Sequence, residues 1–256
     1  MFKSGFRGFA PKGFISGIAF FVLVLCSANA HAGGALKIIE LETADGVKFP
    51  AFIAGPEDSD KGILLVHDWF GASEFYAETA FRLGEEGYRV IAIDYYDGED
   101  ATTHQGAFAL MQKVDAGLTA EKVQAGLDAL KSEGRKIGAF GFSLGTEYAW
   151  RGALNDADVA AVALWYGFTP TTDEHVEGLN ADTLIILGSL DGPAADQGST
   201  YSKLMDAHGK KGELYIYPQA HHAFAQPLFN AGETYDPVGA EISWLITADF
   251  FARKLN

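Results

Sequence analysis

The run Gly141-Phe142-Ser143-Leu144-Gly145 decides how this chain is read. Residues 137–142 form an apolar stretch that reads as a short buried strand, and residues 144–153 can be helical. A serine on the sharp turn between such a strand and helix presents its hydroxyl above the end of a sheet, in a strained backbone conformation. Glycine is wanted two residues to either side, because a side chain there would collide with the neighbouring strand or helix. Alone the pattern is a hint, and its weight depends on what stands at the ends of the other strands.

A serine hydroxyl is a poor nucleophile at neutral pH unless a base takes its proton, and imidazole, oriented by a third group, is the usual base. Where a serine stands on a strand-to-helix turn of this kind, the three arrive in the order serine, acid, histidine, each at the carboxyl end of a strand. The apolar run 183–187 is followed by Gly188-Ser189-Leu190-Asp191-Gly192, which offers Asp191 as the acid. By itself Asp191 reads equally well as a turn former before a glycine. The run 213–217 is followed by Pro218-Gln219-Ala220-His221-His222-Ala223-Phe224, so the base is His221 or His222. Adjacent residues point apart on an extended chain, and no Cys or His spacing suits zinc, so neither a metal nor another cofactor is expected. The oxyanion produced by attack needs two backbone N–H donors. Leu144 supplies one, and the loop His67-Asp68-Trp69-Phe70-Gly71, after the apolar run 62–66, is the natural source of the second.

Outward from these loops, runs 89–95 and 159–166 read as further strands, and partly alternating segments 35–42 and 47–54 read as a hairpin on the sheet edge. Helices are expected after Ser73, with Tyr76, Ala80 and Leu83 on one face, and from Thr119, with Val123, Leu127 and Leu130 on one stripe. A terminal helix opens at Asp236-Pro237, with Ile242, Leu245, Ile246 and Phe250 at helical spacing. The polar segment 97–117, with a short helix around 107–113, is placed over the site. Strands alternating with helices predict an α/β fold, a mostly parallel central sheet with helices on both faces.

Residues 1–32 are set apart. Lys3, Arg7 and Lys12 precede an apolar run, 14–26, too short to span a membrane, and Ala28-Asn29-Ala30-His31-Ala32 follows as a cleavage-like site. This is the pattern of a cleaved signal peptide, so a periplasmic or secreted protein with no stable membrane insertion is expected, with residues 33–256 as one domain. That part contains no cysteine, since the single one is Cys26. All 34 acidic residues but only 16 of the 19 basic ones lie in it, a net charge of −18. Nucleic acid and anionic membrane partners, which need clustered Lys and Arg, are thereby disfavoured.

Six stretches resemble the dienelactone hydrolase family of α/β-hydrolases: Val66-His67-Asp68-Trp69-Phe70-Gly71, Ile93-Asp94-Tyr95-Tyr96, Gly141 to Gly145, Trp165-Tyr166-Gly167, Gly188-Ser189-Leu190-Asp191 and Tyr217 to Phe224. The resemblance implies an α/β-hydrolase fold, His222 as the base, and the Trp69 amide as second oxyanion donor. The chain departs from the family in three places. Ser143 stands where members commonly carry cysteine, Asp68 stands for a longer glutamate, and Gln226 stands where an arginine holds the carboxylate of dienelactone substrates.

The expected activity is cleavage of a small carboxylic ester or lactone by Ser143, His222 and Asp191 through an acyl-enzyme. Asp68, Tyr95, Tyr96, Trp165 and Tyr166, at strand ends, are candidates for the substrate pocket. The same triad would serve an acyltransferase or thioesterase, and a binding module without turnover is the reading from another class. The residues leave oligomeric state and substrate open.

Overall fold

A computed structural model describes residues 35–131, 134–227 and 229–256; the expected signal peptide lies outside the described residues. Eight strands form one sheet: β1 Lys37–Glu42, β2 Lys48–Ala54, β3 Lys61–Val66, β4 Arg89–Ile93, β5 Lys136–Phe142, β6 Val159–Trp165, β7 Asp182–Gly188 and β8 Gly212–Tyr217. Their order across the sheet is β1-β2-β4-β3-β5-β6-β7-β8. β1 and β2 pair as the expected antiparallel hairpin, β2 also runs antiparallel to β4, and every pairing from β4 to β8 is parallel.

The central strands are almost continuously apolar because helices cover both faces. Along β3, Leu64 and Val66 enter one core and Ile63 and Leu65 the other, the two-residue alternation of a pleated strand. The first core is closed by α3 (Ala116–Lys131), α4 (Leu144–Asn155) and α6 (Gly192–Ala207); the second by α1 (Glu74–Glu85) and α7 (Pro237–Lys254). Short helices α2 (His104–Met111) and α5 (Asp173–Gly178) complete the layers. The chain passes from β3 to β4 on one side and returns to β5 on the other. The carboxyl ends of β3 and β5 thus meet at a topological switch point, where ligands bind in open α/β sheets.

Two expectations are corrected. α3 begins at Ala116, one turn before Thr119, because the Asp115 carboxylate accepts from the N–H groups of Gly117 and Leu118 and caps the helix there. On α7, Ile242 and Leu245 are 41% and 60% exposed, and of the expected stripe only Phe250 is fully enclosed. The buried face is Gly239, Ser243, Trp244, Thr247, Phe250 and Phe251. Two apolar stripes compete on this helix. The one with aromatic bulk wins, since each large side chain taken from water is worth about 1.5–3 kcal/mol. Thr247 is tolerated inside because it accepts the indole N–H of Trp165 at 2.9 Å.

Candidate active site

Ser143 sits between β5 and α4 with φ 48° and ψ −115°, a conformation costing about 1–3 kcal/mol for a residue with a side chain. Surrounding packing imposes it. A Cβ at Gly145 would lie 2.3 Å from the His67 carbonyl oxygen and 2.4 Å from that of Val66; one at Gly141 would lie 2.6 Å from the Gly145 oxygen. The flanking glycines therefore let α4 descend onto the end of β3. The Ser143 carbonyl accepts from the Thr146 hydroxyl at 2.7 Å, and the Ser143 N–H donates to the Trp165 carbonyl at 3.0 Å.

The Ser143 hydroxyl donates to Nε2 of His222 at 2.9 Å, and Nδ1–H of His222 donates to the Asp191 carboxylate at 2.6 Å. The three side chains come from three loops that backbone bonds hold together. Ser189 N–H donates to the Tyr217 carbonyl and Leu190 N–H to that of Ala220, fastening the loop after β7 to the loop after β8. Gly188 allows this approach, since a Cβ there would lie 2.4 Å from the Ala220 oxygen. The Asp191 side chain is 11% exposed and that of His222 37%. The acid is thus shielded while the imidazole reaches the cavity. His221 is exposed and takes no part in this line.

The loop after β3 is braced from behind. The Tyr95 hydroxyl donates to the carbonyls of His67 and Asp68 at 3.1 and 3.0 Å, and the Tyr96 hydroxyl donates to the Trp69 carbonyl at 3.1 Å. The His67 ring stacks on Tyr95 and donates from Nδ1 to the Asp68 carbonyl at 2.6 Å, while its Nε2 lies 3.6 Å from the Asp94 carboxylate. Peptide bonds here are trans, so the N–H of Trp69 points opposite to the Asp68 carbonyl. With that carbonyl held by two buried donors, the N–H is turned away from them, and Trp69 itself lines the cavity beside Ser143. Leu144, on the same cavity, opens α4, whose first N–H groups have no acceptor within the helix.

Burial pushes the Tyr95 phenol well above the ordinary tyrosine value, with Tyr96 and Asp68 adding to the rise, so it stays a donor. Burial also raises the Asp68 carboxyl, against the bond from the Phe70 N–H at 2.8 Å. At Asp94 burial acts in the same direction, but the His67 ring and the N–H groups of Tyr96 and Gly98 outweigh it and hold the carboxyl below its usual range. Asp94 thereby folds the turn that carries both tyrosines.

The cavity at Ser143 and His222 is lined by Trp69, Leu144 and Tyr166, by Met111 from α2, by Phe168 after β6, and by Pro193, Ala194 and Gln197 from α6. Of the expected pocket residues, Tyr166 is there. Asp68, Tyr95, Tyr96 and Trp165 are not among its walls. The first three lie beneath the loop, bonded to its backbone, and Trp165 packs on Phe140 and Phe142 in the core. Met111 fits the placement of segment 97–117 over the site. Phe168 and Gln197 carried no local signal, because they become neighbours only when β6 and α6 pack.

Strand order, the turn at Ser143 and the switch-point location define an α/β-hydrolase. The model of the dienelactone hydrolase family matches residues 49–255, and the chain belongs to that family. It is 27% identical over 238 residues to "Protein usf" of Aquifex pyrophilus, covering 86% of this chain and 99% of the relative. It is 27% identical over 226 residues to a protein of Escherichia coli O157:H7 named "Putative carboxymethylenebutenolidase", covering 78% and 83%. A dienelactone hydrolase-like promiscuous phosphotriesterase from metagenomic libraries superposes with a TM-score of 0.75 at 19% identity, over 87% of this chain and all of the other, a likeness of fold.

Proposed function

We propose that this protein, a hydrolase of the ester and lactone type by family, works through Ser143 as nucleophile, His222 as base and Asp191 as the group that orients it. The observation that carries this reading is the continuous bonding from Ser143 through His222 to Asp191, at 2.9 and 2.6 Å. As the Ser143 oxygen bonds to the substrate carbonyl carbon, its proton passes to Nε2 of His222. The imidazolium that forms is stabilised by Asp191. The oxyanion is received by the N–H groups of Leu144 and Trp69. Collapse breaks the bond to the alcohol oxygen, which takes the proton from Nε2. Water, deprotonated by the same nitrogen, then releases the acid and restores the Ser143 hydroxyl. The reading includes an exported protein acting on small molecules.

A fluorophosphonate probe is expected to attach to Ser143, located by mass spectrometry of the labelled peptide. Attachment at another residue would sink the mechanism. The brace behind the oxyanion loop supplies a second expectation. Removing one oxyanion donor costs about 2.7–4 kcal/mol of barrier, and Tyr95→Phe loosens such a donor without deleting it. The kcat of Tyr95→Phe on a short p-nitrophenyl ester should fall roughly tenfold, about 1.4 kcal/mol, with KM changed less than twofold. A rise in KM at unchanged kcat would mean that Tyr95 serves substrate binding instead.

A further inference from the structure

The cavity beside Ser143 and His222 has a volume of about 270 Å³, just under the about 300–1,000 Å³ of pockets that take drug-sized ligands. No lysine or arginine lines it among the described residues. The chain has none between Lys211 and Arg253 either, the stretch that carries His222. Arg151, on the helix behind Ser143, is turned to Glu147 and stacked on Trp150. The ionisable groups on the walls are Asp191 and His222, which bond each other, and Tyr166, whose phenol burial holds protonated. Gln197, half-buried on α6, is the one amide side chain on the walls among the described residues. The Asp68 carboxyl lies buried behind the loop that bears Trp69.

A carboxylate entering this space would shed part of its water against apolar walls and meet no cation, and desolvating an unpaired charge is costly. An alkyl group would lose nothing and gain contact with Trp69, Met111, Phe168 and Pro193. The acyl half of an ester stays bonded to Ser143 through both chemical steps, whereas the alcohol departs after the first, so this apolar cavity is assigned to the acyl half. We propose that this hydrolase selects esters with a compact, uncharged, apolar acyl group and rejects acyl groups that end in a carboxylate. The proposal rests on the hydrolase reading above and adds the substrate class to it.

The test compares kcat/KM for p-nitrophenyl hexanoate and mono-p-nitrophenyl adipate, which share chain length and leaving group and differ in a terminal methyl against a terminal carboxylate. The expected ratio is at least 100-fold in favour of the hexanoate. In Gln197→Arg, which sets a cation on the wall, the ratio should shrink at least tenfold. A wild-type ratio below ten, or a preference for the adipate, overturns the proposal. Inactivation rates with an alkyl fluorophosphonate and its ω-carboxylated counterpart give the same comparison without turnover, under the same thresholds. Labelling of Ser143 with the charged probe preferred defeats the substrate class alone. Absence of any labelling defeats the hydrolase reading and this proposal together.

Discussion

Ser143→Ala should lose hydrolysis of p-nitrophenyl esters by about 10⁴- to 10⁶-fold in kcat while the protein stays folded. The size follows from what is removed. Without the hydroxyl no acyl-enzyme can form, and what remains is water attacking a substrate held by the cavity and the oxyanion N–H groups, which by themselves leave a residual acceleration of about 10³- to 10⁴-fold over solution. Stability should hardly change. The strain at φ 48° belongs to any residue with a Cβ, so alanine inherits it, and the only side-chain bond lost is the one to His222. The checks are a kinetic assay, loss of fluorophosphonate labelling, and a thermal melt within a few degrees of wild type. Hydrolysis undiminished in this variant would remove Ser143 from the mechanism.

The two adjacent histidines give the second large effect. His222→Ala should fall as far as Ser143→Ala, because the base and the nucleophile act as one unit. The double variant should then be little worse than either single one. His221→Ala should keep most of its activity, since that side chain is exposed and bonds neither Ser143 nor Asp191. The contrast is sharp because the residues are neighbours. Positive φ at Gln219 (60°) and Ala223 (55°) brackets the pair in tight turns, and the backbone tie from Leu190 to Ala220 sets which of them faces Ser143. Loss of activity in His221→Ala with retention in His222→Ala would mean that this loop adopts another register in solution.

Much of this was legible because it is local. A Gly-x-Ser-x-Gly run between a strand and a helix has one steric solution, and the close approaches at Gly141 and Gly145 are the contacts that the pattern anticipates. Asp191 and the pair His221-His222 could be placed because apolar runs mark strands and the loops at their carboxyl ends converge on one edge of the sheet; the choice of His222 within the pair came from the family resemblance. The pocket was not legible in that way. Tyr95, Tyr96 and Trp165 stand at strand ends as Tyr166 does, and nothing in their spacing says which ring faces the cavity. Tyr166 contributes to the cavity wall although its side chain is fully buried, while Tyr95 and Tyr96 turn their hydroxyls to loop carbonyls and Trp165 turns its indole to Thr247. On α7 the periodicity pointed to Ile242, Leu245, Ile246 and Phe250, whereas packing on the sheet buried Trp244, Phe250 and Phe251.

By itself, then, the sequence determined the order of strands and helices, the turn at Ser143 and the three residues at strand ends, since each depends on sterics and polarity within a few residues. Only the tertiary structure decided the walls of the cavity and the brace behind Trp69, and it alone set His222, which the resemblance had implied, within bonding distance of Ser143. Those depend on distances between segments far apart in the chain. Such distances are set when two cores pack on one sheet, and no local pattern carries them.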